Sequence, residues 1–199
     1  MAGRGLPRRT TLVAWDVDNI RPRPGQFGSS VKSVLCAPQV TLVGGSTDVV
    51  LAANTRTLSQ IVPDREEIDE LIRWGLAEGL RVEVIETEQR RQAVDRVLTQ
   101  RIIDFADSNH SEELCLYVVS NDSDFAPVLA YAGTLDPSMS IATVGTCRPS
   151  KNSNAQTRKP NAAISKVAHR TLAIANWGDS TLGSVVTELP SAVLTSSKR

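Results

Sequence analysis

Two short acidic segments contain the residues of this chain that are best suited to chemistry. Asp-Val-Asp-Asn at positions 16–19 follows the apolar run 11–14, and Ser-Asn-Asp-Ser-Asp at positions 120–124 follows the apolar run 114–119. Each run is typical of a buried strand, and the carboxyl ends of parallel strands meet at the sheet edge where ligands bind. Aspartates gathered at that edge repel one another unless protons or cations compensate them. The pattern therefore predicts a divalent metal site that acts on phosphate.

Asp95 adds a further acid by a different route. It lies in the second turn of a predicted helix that follows a third strand, which places it near the same sheet edge. Its neighbours Val94 and Leu98 border the core, where a charge costs on the order of several kcal/mol unless it is paired. Arg91, Arg96 or a metal ion are the available partners. Taken singly, the acids of this edge could each cap a turn or a helix, but their coincidence favours the metal site.

The elements that position these acids alternate between strands and helices, which indicates a parallel sheet built from βαβ units. We predict an α/β three-layer sandwich with a mainly parallel central sheet of about five to six strands. The predicted strands are 11–16, 48–53, 80–86, 114–119, 140–144 and an edge strand at 185–187, with 114–119 central. The predicted helices are 27–35, 64–79, 91–107, 125–132 and 161–177. Asp64 is expected to cap its helix, with Glu67 as the capping-box partner.

The 199 residues suffice for one domain, which we place at 11–190 between flexible segments 1–10 and 191–199. The balance of 22 basic and 22 acidic residues argues against a strongly basic coating of DNA. Three separated cysteines without a CxxC pair indicate neither a disulfide framework nor a zinc site, and favour a reducing intracellular compartment. No apolar run approaches the roughly 18–20 residues of a membrane span, so a soluble protein without membrane contact is expected. The arginine-rich start fits an organelle transit remnant or a flexible end, which leaves cytoplasm, mitochondrion and plastid open.

The acidic segments resemble the motifs of a nuclease family. Asp-Val-Asp-Asn-Ile at 16–20 resembles the Asp-x-(Asp/Glu)-Asn opening of NYN domains, which are members of the PIN-like nuclease superfamily. Ser-Asn-Asp-Ser-Asp-Phe at 120–125 is similar to their Ser-Gly-Asp-Ser-Asp-Phe signature, and Ala-Val-Asp-Arg-Val-Leu at 93–98 resembles the segment with the third acid. The resemblance spans roughly residues 12–144. Positions 52–56 and Pro63 are similar to plant members of the limkain-type branch.

This resemblance implies a metal-dependent ribonuclease, an endonuclease in RNA processing, whose parallel sheet lies between helices. Its catalytic and metal-binding acids would be Asp16, Asp95, Asp122 and Asp124, which would hold one or two Mg²⁺ or Mn²⁺ ions. The residues that support these acids or contact the substrate would be Asp18, Asn19, Ser120 and Ser123. Carboxylate oxygens are the ligands that such hard cations prefer.

Basic side chains supply candidate contacts to RNA phosphates, because arginine forks suit phosphate oxygens and give a salt-dependent affinity. The candidates are Arg90, Arg91, Arg148, Lys151, Arg158 and Lys159. Solvated surface is the alternative interpretation of these charges. Aromatic residues make up only 4% of the chain, so base stacking has little support. We therefore expect a single-stranded or structured transcript as the partner, with specificity supplied by another domain or protein.

Two positions depart from the family pattern. Asn121 replaces the usual glycine of the second motif, which affects the tightness of that turn. Arg101 occupies a helix position where many relatives carry a further acid. It predicts either a weaker second metal site or an arginine turned toward a phosphate.

Two other functions stay open. The first is a catalytically silent NYN-type module for RNA binding or scaffolding, although all four acids of the motif are present. The second is a haloacid-dehalogenase-like phosphatase, because positions 16–18 also resemble the opening of that family, where the first Asp is the nucleophile. That family requires a lysine before its last acidic motif, and no lysine occurs between Lys32 and Lys151.

Overall fold

The chain folds into a seven-stranded sheet that carries helices on both faces. The computed structural model describes residues 9–40, 45–108, 113–146, 161–175, 177 and 185–189. The strands are β1 Arg9–Asp16, β2 Thr47–Asn54, β3 Leu80–Thr87, β4 Glu113–Val119, β5 Ser140–Thr146, β6 Arg170–Ala175 and β7 Val185–Leu189. The helices are α1 Phe27–Leu35, α2 Thr55–Ile61, α3 Glu66–Ala77, α4 Ala93–Asp107, α5 Ala126–Leu135 and α6 Ala162–Val167. A single 3-10 turn, Ser123–Phe125, precedes α5.

The strand order is β3-β2-β1-β4-β5-β6-β7, in which only β7 runs antiparallel to its neighbour. The predicted α/β sandwich with a mainly parallel sheet is confirmed, and β4 is central as predicted. The strand count of seven exceeds the predicted five to six. The chain builds outward from β1 in one direction and from β4 in the other. The carboxyl ends of β1 and β4 therefore flank the crevice where ligands bind in open parallel sheets.

Apolar residues cover both faces of the central strands, which explains why β1 and β4 are nearly continuous hydrophobic runs. On one face Trp15 packs in a cluster with residues of α1 and α3, including Phe27 and Leu71. On the other face Ala14 packs in a cluster with residues of α4 and α5, including Leu98. Both clusters are closed off from water, so the sheet holds its carboxyl edge in a rigid frame. In the described part of the chain, no helix has the length and apolarity to cross a membrane.

The predicted helix 161–177 is wrong. Its first part forms α6, which ends at Val167, and the rest turns into β6. The alanine-rich sequence favours a helix locally, but Leu172, Ala173 and Ile174 are all buried between β5 and β7. Sheet pairing on both sides therefore overrides the local preference of this segment.

Other elements differ from the prediction in local detail. Helix α2 was not predicted, and it begins where the Asn54 side chain accepts a hydrogen bond of 2.9 Å from the Thr57 N–H. The Asp64 carboxylate accepts from the Glu66 N–H at 2.9 Å at the start of α3, but the predicted capping-box partner is wrong, because the Glu67 carboxylate accepts from the Gly28 N–H of α1 at 2.9 Å. Strand β1 begins at Arg9, inside the segment expected to be flexible. Residues 1–8 and 190–199 lie outside the described part.

Candidate active site

Four aspartates line one cleft at the carboxyl edge of the sheet. The cleft has a volume of about 210 Å³ and lies where β1, the turn after β4 and the start of α4 meet. The acids in its lining are Asp16, Asp18, Asp95 and Asp122. The other described residues of the lining are Asn19, Arg90, Gln92, Ala93 and Val94. The structure thus brings together acids that lie far apart in the sequence.

Asp16 is the last residue of β1 and is only 3% exposed. One carboxylate oxygen accepts from the Asn19 N–H at 3.1 Å, and the other accepts from the Ser120 hydroxyl at 3.0 Å. Burial raises the pKa of Asp16 to about 7 against the opposing effect of these two hydrogen bonds. The charges of Asp95 and Asp18 make a smaller contribution to this rise in the pKa. A carboxyl group with this pKa is only partly ionised at neutral pH, and a cation bound beside it would favour the ionised form.

Further hydrogen bonds join the two acidic segments into one unit. The Ser120 hydroxyl, which donates to Asp16, accepts from the Asp122 N–H at 3.0 Å. The Asn19 side chain accepts from the Asn121 N–H at 2.9 Å. Asn19 and Ser120 therefore hold the loop after β1 against the turn after β4. The orientation of Asp16 relative to Asp122 follows from these bonds.

Asp18 is held by Asn54, which is not among the predicted site residues. The Asn54 side-chain amide donates to Asp18 at 2.6 Å, and the Asn54 N–H donates to the other carboxylate oxygen at 3.2 Å. The same side chain caps α2 through Thr57. The sequence did contain a signal for this role. Asn54 is a polar residue directly after the apolar run of β2, so it also falls at the carboxyl edge of the sheet. Asp18 is thereby anchored to β2 and α2.

Asp95 lies in the first turn of α4, since the helix begins at Ala93. Its partial burial raises its pKa, and the charges of Asp122, Asp124 and Asp18 raise it further. These effects show that the acids of the cleft are close enough to repel one another. A carboxylate in the first helical turn is also favoured by the helix dipole.

The entry into α4 differs from the prediction. Gln92 precedes the helix in a left-handed conformation with φ of 62° and lines the cleft. Among the described residues, neither Arg91 nor Arg96 forms an ion pair with Asp95, so the predicted arginine partners are wrong. The charge of Asp95 therefore faces other acids and water.

The remaining predicted site residues are Asp124, Ser123 and the basic side chains, and only some of them line the cleft. Asp124 is exposed and donates its N–H to Asp122 at 3.0 Å, while Ser123 is exposed in the same turn. Arg90 lines the cleft and forms an ion pair of 2.7 Å with Glu88, whereas the adjacent arginine at position 91 is exposed. The other four basic candidates lie outside the described residues; they are Arg148, Lys151, Arg158 and Lys159.

The two departures from the family pattern have structural roles. The Asn121 side chain donates to the Thr146 hydroxyl at 2.9 Å and accepts from the Thr146 N–H at 3.2 Å. It therefore ties the end of β4 to the end of β5. Arg101 donates to both carboxylate oxygens of Glu83 at 2.8 Å. Its guanidinium is therefore engaged on β3, and Arg101 is not part of the cleft lining.

The acids of the cleft suit a divalent cation in their chemistry but not in their present arrangement. No three His, Cys, Asp or Glu side chains among the described residues stand in an arrangement that could hold a metal ion. The acids of the lining nevertheless offer the oxygen ligands that Mg²⁺ and Mn²⁺ prefer, and their mutual repulsion favours a cation between them. The residues fit such an ion by their chemistry. At least three of these carboxylates would have to stand closer together than they do in this structure to bind one ion.

Comparison with known proteins finds a similar solved structure but no family. No family model matches this chain, and no curated protein matches it. The chain is similar to a solved structure of a protein of unknown function from Vibrio parahaemolyticus, at 14% sequence identity. The match covers 84% of this chain and 93% of that chain, with a TM-score of 0.46.

Proposed function

We propose that this chain is a metal-dependent ribonuclease of the NYN type, within the PIN-like superfamily, that cleaves RNA phosphodiester bonds as an endonuclease. One observation carries the proposal. The β1 end, the α4 start and the turn after β4 supply the acids of a single cleft, and one of those acids, Asp16, is almost fully buried. This concentration of carboxylates lies at the switch point of a parallel sheet, where such folds bind their ligands.

The residues of the cleft divide into ligands and supporting groups. Asp16, Asp95 and Asp122 would hold one or two Mg²⁺ or Mn²⁺ ions, with Asp124 as a further ligand from the adjoining turn. A bound ion of this kind lowers the pKa of a water molecule and neutralises charge on the reacting phosphate. Asp18 keeps its orientation through Asn54 and would accept hydrogen bonds from water in the cleft.

Hydrogen bonds to the proposed ligands also matter for the proposed chemistry. Ser120 and Asn19 direct both oxygens of Asp16, so this carboxylate has little freedom to rotate. Outer partners of this kind orient metal ligands, and their loss typically lowers metal affinity or activity by about 10- to 100-fold. Ser120 and Asn19 are therefore expected to be needed for activity without touching the substrate.

Arg90 is the described basic residue best placed for an RNA phosphate. It lines the cleft, and its ion pair with Glu88 is exposed at both ends. Exposed ion pairs contribute about 0–1 kcal/mol, so a phosphate can readily replace Glu88 as the partner. The described lining contains no aromatic side chain, which supports weak base specificity. An RNA transcript is the proposed partner, and another domain or protein would select its sequence.

The two alternatives receive less support from the site. A phosphatase of the haloacid-dehalogenase type would use Asp16 as a nucleophile, yet this carboxylate is buried and both its oxygens accept hydrogen bonds. The cleft lining, as far as it is described, also contains no lysine. A catalytically silent RNA-binding module remains the alternative against which the experiment is designed.

The test is cleavage of an end-labelled single-stranded RNA with Mn²⁺ supplied. We expect internal cuts by the wild type, loss of cleavage in EDTA, and rates lowered on the order of 100-fold or more in Asp16→Asn and Asp122→Asn. The matched control is Asp104→Asn, which changes an exposed aspartate of α4 that bonds to Gln100. Equal, poor rates for wild type and Asp16→Asn would establish the silent module. Burst phosphorylation of Asp16 by a phosphate monoester would establish the phosphatase.

A further inference from the structure

Arg21 is a cation beside the acidic cleft whose partners are all neutral in the described part of the chain. It follows the loop 16–19 by two positions, at the carboxyl edge of the sheet. Its guanidinium donates to the Thr57 hydroxyl at 3.0 Å and, more weakly, to the Gln60 side-chain carbonyl at 3.4 Å. Neutral acceptors orient a guanidinium without cancelling its charge.

Other arginines with described side-chain bonds are used differently. Six of them form ion pairs with a Glu or Asp side chain, namely Arg9, Arg65, Arg81, Arg90, Arg101 and Arg170. Arg21 is also fixed through its backbone, because the Trp177 indole N–H donates to the Arg21 carbonyl at 3.0 Å. Its acceptor Thr57 is buried, with 2% exposure. The structure therefore holds a full positive charge in a defined direction.

The position of Arg21 relative to the acids follows from a short chain of hydrogen bonds. Asn54 donates to Asp18 in the cleft and accepts from Thr57, and the hydroxyl of Thr57 accepts from Arg21. Arg21 thus stands two side chains away from an acid of the cleft lining.

Arg21 and Arg90 lie on opposite sides of the sheet. The helix that holds Arg21, α2, packs its Leu58 into the apolar cluster on the α1 and α3 face. The helix next to Arg90, α4, packs its Val94 into the cluster on the other face. The acids at the end of β1 lie between these two faces. A strand of RNA that crossed this edge would pass from one arginine to the other over the acidic cleft.

We propose that Arg21 binds a backbone phosphate of the RNA strand, on the side of the cleft opposite Arg90. This inference rests on the proposed ribonuclease function. A guanidinium has five N–H donors, and the two bonds to neutral acceptors leave donors for phosphate oxygens. Positive charge beside the cleft attracts the RNA backbone, and it offsets the repulsion by the acids when no metal ion is bound.

The test measures RNA affinity separately from cleavage. Fluorescence anisotropy with a labelled single-stranded oligouridine RNA in EDTA gives the affinity at several salt concentrations. For Arg21→Ala we expect about 5- to 10-fold weaker binding and a slope of log affinity against log salt that is smaller by about 0.7. Arg21→Lys should keep the slope while losing part of the affinity, because it keeps the charge and loses the fork. The control is Arg73→Ala, an exposed arginine of α3, which should leave affinity and slope unchanged.

A second variant tests the positioning of Arg21. Thr57→Val keeps the side-chain shape and removes the acceptor, so it should weaken RNA binding by about 2-fold with the salt slope retained. In the Arg21→Ala background, the same change should have no further effect on affinity. Thermal unfolding of each variant monitors the fold. Equal affinity losses from Thr57→Val in both backgrounds would overturn the positioning role.

Cleavage with Mn²⁺, measured in parallel, separates this inference from the proposed function. Wild-type cleavage combined with wild-type affinity and slope in Arg21→Ala would overturn the role of Arg21 and leave the nuclease standing. RNA binding that depends on Arg21, without any cleavage, would support the phosphate contact and overturn the nuclease. A wild type that binds no RNA would overturn both.

Discussion

Replacing the buried acid of the cleft should make the protein more stable while it abolishes activity. In Asp16→Asn the side chain keeps its size and loses its charge at a position that is 3% exposed. The folded state then no longer has to hold an ionised carboxylate away from water and close to Asp95 and Asp18. We expect the free energy of unfolding in EDTA to be higher for the variant than for the wild type at pH 8.

The magnitude follows from the pKa of Asp16, which rises from 3.8 to about 7 on folding. Between these values the folded protein binds a proton that the unfolded chain has released, so wild-type stability falls as the pH rises through that window. At about 1.4 kcal/mol per pH unit, the loss approaches about 4 kcal/mol above pH 7. Asparagine has one acceptor oxygen for Asn19 and Ser120 together, and the altered bond offsets about 1–1.5 kcal/mol. The net gain at pH 8 is about 2–3 kcal/mol.

Urea unfolding of both proteins in EDTA, in steps from pH 4 to pH 8, measures this difference. At pH 4 the wild type should equal or exceed the variant, because its acid is largely neutral and keeps both hydrogen bonds. The curves should cross as the pH rises and run parallel above about pH 7. A difference that does not change with pH, or a wild type that stays more stable at pH 8, would refute the assignment of Asp16 as a buried, strained acid.

Three further expectations concern the metal, the turn and the core. Mn²⁺ at about 100 times its dissociation constant should stabilise the wild type by about 2.7 kcal/mol in urea unfolding, and Asp95→Asn should gain much less at the same concentration. Asn121→Gly removes both bonds to Thr146 and should lower the free energy of unfolding by about 1–2 kcal/mol, with RNA cleavage retained. Leu98→Ala, at a fully buried position of α4, should cost about 2–5 kcal/mol in the same measurement.

The fold was predictable because the central strands are recognisable from their apolar composition. Runs 11–14 and 114–119 are apolar on both sides of the pleat, as buried parallel strands must be. Parallel pairing then brings their carboxyl ends to one edge, so the polar residues that follow each run were expected to meet there. The structure places Asp16 and Asp122 in one cleft by this route. The place of a residue at the carboxyl edge of a parallel sheet can therefore be predicted without knowing any of its contacts.

Individual contacts could not be predicted in the same way. Ser120 and Asp16 are 104 positions apart, and no periodicity in the sequence pairs them. Asn54 caps a helix that propensity did not indicate, and the same side chain bonds to Asp18. Strand β6 likewise depends on neighbours on both sides, whereas its own alanine content favours a helix. Each of these contacts and elements depends on residues that are distant in the sequence, so local patterns do not indicate it.

The energetics of Asp16 bear on the choice between an enzyme and a silent module. A binding or scaffold module needs only a hydrogen-bonding side chain at the end of β1, and asparagine meets that need without a buried charge. The aspartate at this position lowers stability at neutral pH in the absence of a cation. A bound divalent ion reverses that effect, since a ligand that binds only the folded state adds its binding free energy to stability. The destabilising charge of Asp16 therefore supports the proposed metal-dependent cleavage over a purely structural role for this side chain.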